Sequence, residues 1–75
     1  MNYIESEEHH RLMWYPFEYH ADWGIPRRWR EEYSNHIYLG RPTSPELDHP
    51  PNGKVQHFAL GSIIWWPDNR TELIR

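Results

Sequence analysis

The dominant feature of this 75-residue chain is its aromatic content in the absence of any cysteine. Five tryptophans, five tyrosines and two phenylalanines are present, although the mean hydropathy is only -1.01. Each aromatic side chain can bury on the order of 150–250 Å², so a few rings can replace many aliphatic residues. A chain this short has room for one hydrophobic core, and neither disulfides nor thiolate metal sites can support it. We therefore expect a single small domain, residues 1–75, with an aromatic core.

The clearest helix signal lies at about residues 26–34. Proline is well tolerated at a first helical position, and Pro26 marks that position here. Ile25, Trp29 and Tyr33 follow one another at intervals of four residues, which places them on one side of a helix. The spacing predicts that Trp29 and Tyr33 face the core.

Residues 7–20 admit two interpretations. Ser6 followed by acidic residues is typical of a helix start, and such a helix would run from about residue 7 to Pro16. Aromatic residues also favour strands, and both alternating sets of side chains in this segment are apolar, so the periodicity does not decide. The strand, at residues 12–20 with Pro16 at an edge or bulge, is the interpretation we favour.

Three further segments complete the expected fold. Residues 36–39 read as a short strand, and the four prolines of residues 41–53 indicate a long loop with at most one helical turn at 44–47. A hairpin is predicted at about 54–67, with Gly61-Ser62 as its turn; one long strand bulged at Gly61 is the alternative. Residues 70–75, after the turn at 67–69, are predicted to form a short tail. The expected fold class is α+β, a small antiparallel sheet of three to four strands packed on one main helix.

No pattern of catalytic or metal-ligating residues stands out. His9 and His10 are adjacent and point apart on a helix or a strand, so with His20 they do not form a zinc-ligand motif. Paired carboxylates for glycoside chemistry, a serine nucleophile turn and a phosphate-binding glycine loop are not evident. We expect no enzyme activity, no cofactor and no metal.

Binding of a protein partner is the predicted function. Tryptophan, tyrosine and arginine dominate the binding energy of protein interfaces, and this chain is rich in all of them. Consecutive tryptophans on a strand face opposite sides, so one of Trp65 and Trp66 is expected to be available to a partner. The prediction is a non-enzymatic module, of the kind that phages and mobile elements use to inhibit or redirect a host protein. The expected partner-binding residues are Tyr38, Arg41, Leu47, His49, Trp65 and Trp66.

Nucleic-acid binding is the alternative. The Gly-Ile-Pro helix entry, three arginines and a later hairpin resemble the plan of small winged-helix excisionases, which implies a helix that reads the major groove. Under that resemblance Arg27, Arg28 and Arg30 would contact DNA. However, the net charge is -3, and Arg27 and Arg28 are spaced to pair with Glu31 and Glu32 on the same helix.

The expected location is the cytoplasm. Residues 1–10 are polar and acidic, unlike a signal peptide. The longest apolar run, residues 63–66, is far too short to cross a membrane.

Overall fold

The computed structural model describes residues 7–75 and shows a small α+β domain, as predicted. Its four strands form one antiparallel sheet in chain order, β1-β2-β3-β4. Helix α2 lies against β3 and β4. The elements are α1 (Glu7–Trp14), α2 (Gly24–Ser34), β1 (Leu47–His49), β2 (Gly53–Phe58), β3 (Gly61–Trp65) and β4 (Thr71–Ile74).

The predicted main helix is confirmed, and it begins slightly earlier than expected, at Gly24. Ile25 and Trp29 are each 1% exposed, and Tyr33 is half-buried against the same core, so the predicted stripe faces inward. The indole Nε1 of Trp29 donates a hydrogen bond to the backbone oxygen of Gly40 at 2.9 Å. The ring is therefore fully buried without leaving its polar atom unsatisfied.

The favoured strand at residues 12–20 is wrong, because this segment starts in helix α1 and continues as a turn. A helix places His10 and Trp14 on one side, and both rings contact Trp29 edge-on, at 5.3 and 5.2 Å. Trp14 also meets Phe58 of the sheet at 5.5 Å. The helix is more stable than the strand here because it buries the rings of His10 and Trp14 together against Trp29. The proposed Ser6 cap lies outside the described residues.

The hairpin prediction is confirmed, although its turn is shifted. The turn falls at Ala59-Leu60, and Gly61 already pairs with Phe58 in the ladder. A Cβ on Gly61 would lie 2.7 Å from the backbone oxygen of Ile74, so the glycine serves close strand packing and not the turn. The alternative of one long bulged strand is wrong.

Two short strands occupy segments that were expected to be irregular. Strand β1 lies inside the proline-rich segment 41–53, which was predicted to be a loop with at most one helical turn, and β4 lies in the expected tail. Conversely, residues 36–39, the predicted short strand, are not a strand. The backbone oxygen of Leu39 accepts a bond from Leu60, which satisfies that backbone group without a ladder.

Candidate ligand-binding cleft

A cleft of about 300 Å³ opens where the start of α2 approaches the end of the β2–β3 hairpin. Its volume is at the lower limit of typical small-molecule sites. Two tryptophans and several side chains with hydrogen-bonding groups line it, a composition that can hold a ligand by both its apolar and its polar surfaces. The lining residues are Asp22, Trp23, Gly24, Ile25, Glu46, Lys54, Trp65 and Asn69.

Trp23 and Trp65 are the aromatic sides of this cleft. Trp23 is 46% exposed and stacks on His20 with the ring centres 3.8 Å apart and 21° between the ring planes. Trp65 is the last residue of β3, and its Nε1 donates to Oδ1 of Asn69 at 3.2 Å. Neighbouring side chains therefore orient both rings in the absence of a ligand.

Gly24 permits the close approach of the two elements. A Cβ built on Gly24 would overlap Cδ1 of Trp65, closer than real atoms come. Any other residue would have to displace the indole ring. The glycine at the start of α2 is therefore needed for the position of Trp65 as much as for the helix.

The charged side chains in and beside the cleft differ in whether they have a partner of opposite charge. Lys54 forms an ion pair and a hydrogen bond with Asp48, which hold the pKa of Asp48 below and that of Lys54 above their ordinary values. Burial raises the pKa of Glu46, and the nearby Lys54 and His20 only partly offset this. No hydrogen bond to the Glu46 carboxylate is made by residues 7–75. Glu46 is thus a half-buried acid without a partner of its own.

We expect Glu46→Gln to stabilise the domain near neutral pH. Because the pKa of Glu46 is raised on folding, the unfolded chain loses this proton first as pH rises, and the folded state loses stability between the ordinary and the raised pKa. Glutamine has no such loss. The melting-temperature difference should therefore be small at about pH 4 and grow in favour of the variant up to about pH 7.

Thermal unfolding of both proteins across that range is the measurement. Asp48 contributes to the pH dependence with the opposite sign, because its lowered pKa gives stability that is lost as pH falls. Both proteins contain Asp48, so its contribution cancels in the difference between their melting temperatures. A difference that does not change with pH, or a variant that is less stable at neutral pH, would contradict the expectation.

The sequence-predicted partner residues do not share one surface. Trp65 lines the cleft, whereas Trp66 lies on the other face of the sheet, with its ring centre 5.3 Å from that of His49. Leu47, 42% exposed, pairs with Val55 on that face. Tyr38 and Arg41 flank the Ala59-Leu60 turn, four ladder positions and about 13 Å along the hairpin from Trp65.

Two of the three helix arginines have intramolecular partners. Arg28 bonds Glu32 at 2.7 Å, as its spacing predicts, and also reaches the backbone and side-chain oxygens of Thr71. Arg30 donates to the hydroxyl of Tyr19 and the backbone oxygen of Ala21. Arg27 is exposed and has no ion pair within the described chain, so the expected pairing with Glu31 is absent.

Sequence reasoning missed most of the cleft. Trp65 is the only lining residue that was predicted; Asp22, Trp23, Glu46, Lys54 and Asn69 were not. One signal was available in the sequence. Trp23 lies outside the inward stripe of α2 and directly precedes a glycine, an unusual place for a large apolar ring that is not in the core.

Residues 7–75 contain no group of three or more potential ligands that could hold a metal ion. No helix in the same range is long and apolar enough to cross a membrane.

The chain is similar to one protein family over its second half. Residues 39–75, slightly less than half of the chain, match the family model of the LGFP repeat. The match begins at Leu39-Gly40-Arg41-Pro42, which has three of the four residues that the repeat's name spells. Searches of curated proteins and of solved structures gave no match.

The structure gives each residue of this tetrapeptide a physical role. Leu39 is 1% exposed in the core, and Gly40 has a left-handed φ of 77°, which favours glycine. Pro42 is buried and forms an isolated antiparallel β-bridge with Phe58 of β2. Arg41, the third residue of the tetrapeptide, is exposed. The matched segment supplies the whole sheet, and with it Glu46, Lys54, Trp65 and Asn69 of the cleft.

Proposed function

We propose that this chain is a non-enzymatic binding module whose cleft takes a sugar unit of a cell-wall glycan. The observation that carries the proposal is the pair of tryptophans, Trp23 and Trp65, that line a cleft which also holds carboxylate, amide and ammonium groups. Both indole rings line the cleft, whereas Trp14 and Trp29 are fully buried in the core.

A sugar ring suits this combination of groups. Its C–H faces are apolar and pack on aromatic rings, whereas its hydroxyls both donate and accept hydrogen bonds. Glu46 and Asp22 provide acceptors, Lys54 provides a donor, and the amide of Asn69 provides both. An aromatic site with a few placed polar groups is the usual construction for a small polar ligand.

The similarity to the LGFP repeat supports the choice of glycan. LGFP repeats are usually associated with cell walls, and the segment that matches them contributes most of the polar groups of the cleft. Under this proposal the protein works outside the cell membrane, in place of the cytoplasmic location that the sequence predicted. A binding role needs no cofactor.

Alanine substitution of either cleft tryptophan should abolish sugar binding while leaving the fold intact. Titration of the protein with β-1,4-linked glucosamine-type oligosaccharides, followed by tryptophan fluorescence and calorimetry, measures the affinity. For Trp23→Ala and Trp65→Ala we expect losses of about 2 kcal/mol or more, roughly thirtyfold, because central aromatic contacts carry most of a binding energy.

The matched control is Trp66→Ala. Trp66 is adjacent in sequence to Trp65 but lies on the opposite face of the sheet, so its removal should leave the affinity unchanged. Equal losses in Trp65→Ala and Trp66→Ala would place the sugar elsewhere. Chromatography of the titrated oligosaccharide checks the non-enzymatic part, since cleavage products would mean that Glu46 and Asp22 act as a hydrolytic pair.

Binding of a protein partner is the second candidate, and one observation favours it. On the face opposite the cleft, Leu47 is 42% exposed, and this face also carries the half-buried Trp66 beside His49. A protein partner could bury these apolar side chains. Leu47→Ala and Trp66→Ala would then weaken partner binding and spare sugar binding. The phage-accessory and winged-helix interpretations stay predictions from the sequence.

A further inference from the structure

The cleft and its rim carry an excess of negative charge close to the aromatic rings. Asp22 and Glu46 line the cleft, and the one lysine there, Lys54, is already bonded to Asp48. These four side chains sum to two negative charges when all are ionised. An anionic sugar would be repelled by this arrangement, and a cationic one attracted.

Glu46 is the acidic residue of the cleft best suited to bind a cationic group of the ligand. It is half-buried, has lost part of its hydration, and receives no hydrogen bond from residues 7–75. A partly desolvated carboxylate gains more from a cation than an exposed one does, because its charge is less screened. The faces of Trp23 and Trp65 add a second attraction for the same positive group.

We infer that the cleft selects a sugar with a free, protonated amino group, which the Glu46 carboxylate binds between the two tryptophans. This inference rests on the proposed function and specifies the ligand class for the same site. A neutral N-acetylated sugar retains the stacking but offers only a neutral N–H, and a uronic acid brings the wrong charge. The positive charge of Lys54 near Glu46 opposes the binding of a cationic group there.

Four matched tetrasaccharides test the selectivity. All are β-1,4-linked glucans, and each of the other three differs from the glucose parent at one carbon of each sugar unit: glucosamine and N-acetylglucosamine at C2, and glucuronic acid at C6. Calorimetry at a pH where titration of the glucosamine tetramer itself shows its amino groups to be protonated gives each affinity. We expect the glucosamine tetramer to bind at least about tenfold more tightly than the two neutral ones, and the uronic tetramer most weakly. High salt should reduce this preference.

Two variants assign the preference to Glu46. Glu46→Gln keeps the shape and removes the charge, so it should lower the affinity for the glucosamine tetramer about tenfold more than it lowers the affinity for the neutral tetramers. Lys54→Gln should act in the opposite direction and tighten amine binding. Glu72→Gln is the control, because it removes an equal charge from an exposed residue on the face of the sheet opposite the cleft. Glu72 lies on that face because it pairs with Ile64 across the two strands.

The outcomes separate the two proposals. Neutral tetramers that bind as well as the glucosamine tetramer, or an unchanged preference in Glu46→Gln, would overturn this inference and leave the sugar-binding function standing. Binding of none of the four would overturn both. If a simple alkylamine bound as tightly as the glucosamine tetramer, the amine alone would be the ligand and the sugar selectivity would be wrong.

Discussion

Trp29→Ala is expected to unfold most of the protein at room temperature. Removal of a buried tryptophan costs about 3–5 kcal/mol, and a domain of this size has a total stability of similar magnitude. Trp29 is 1% exposed, contacts Trp14 and His10 edge-on, and bonds the backbone of Gly40. The variant therefore loses packing and leaves the Gly40 oxygen without its donor. Circular dichroism during urea and thermal unfolding measures the loss.

The same substitution at Trp23 is the control. This ring is 46% exposed, and within residues 7–75 its one aromatic contact is with His20, so Trp23→Ala should shift the unfolding midpoint only slightly. The two variants remove the same side chain from the same helix region. If Trp29→Ala melted like the parent protein, or if Trp23→Ala unfolded equally, the division into core and cleft tryptophans would be incorrect.

Arg28→Ala is expected to destabilise the domain by about 2–4 kcal/mol. The guanidinium connects α2 to β4 through two bonds to Thr71, and it neutralises Glu32, which is 8% exposed. Without Arg28, the Glu32 carboxylate stays nearly buried and unpaired. The figure is below that for a fully buried pair because a quarter of the Arg28 side chain is exposed.

Arg27→Ala supplies the comparison. Arg27 precedes Arg28 directly, is exposed, and makes no ion pair among the described residues, so its loss should change stability by less than about 0.5 kcal/mol. Urea titration of both variants gives the two values. Equal effects would contradict the role of Arg28 in joining α2 to β4. A large stability loss in Arg28→Ala would also mean that this arginine has a structural role whether or not it binds DNA.

The helix and the hairpin could be predicted because their patterns are local. Ile25, Trp29 and Tyr33 mark one side of α2 without reference to any other part of the chain. Residues 12–20 lack such a contrast, and their helix is determined by a distant contact, the packing of Trp14 on Trp29 and Phe58. Strands as short as β1 and β4 depend on their neighbours in the sheet for hydrogen bonds, so their sequences carry little signal.

The cleft was harder to predict because its residues are separated in sequence. Trp23 and Glu46 come together only when the start of α2 meets the end of the hairpin. Glu46 was assigned to an irregular loop, where an acidic residue is ordinarily well hydrated and gives no reason to expect partial burial. Trp65 was one of the predicted partner-binding residues because adjacent tryptophans on a strand face opposite sides, a rule that needs no tertiary information.

The division of the cleft between two parts of the chain has a consequence for how its specificity could change. Asp22 and Trp23 precede the segment that matches the LGFP repeat, whereas Glu46, Lys54, Trp65 and Asn69 lie within it. Exchange of residues 20–23 would replace one side of the cleft and leave every strand untouched. Only Gly24 must be retained, because of its contact with Trp65. Related chains, or designed ones, could acquire new ligands by grafting four residues onto an unaltered sheet.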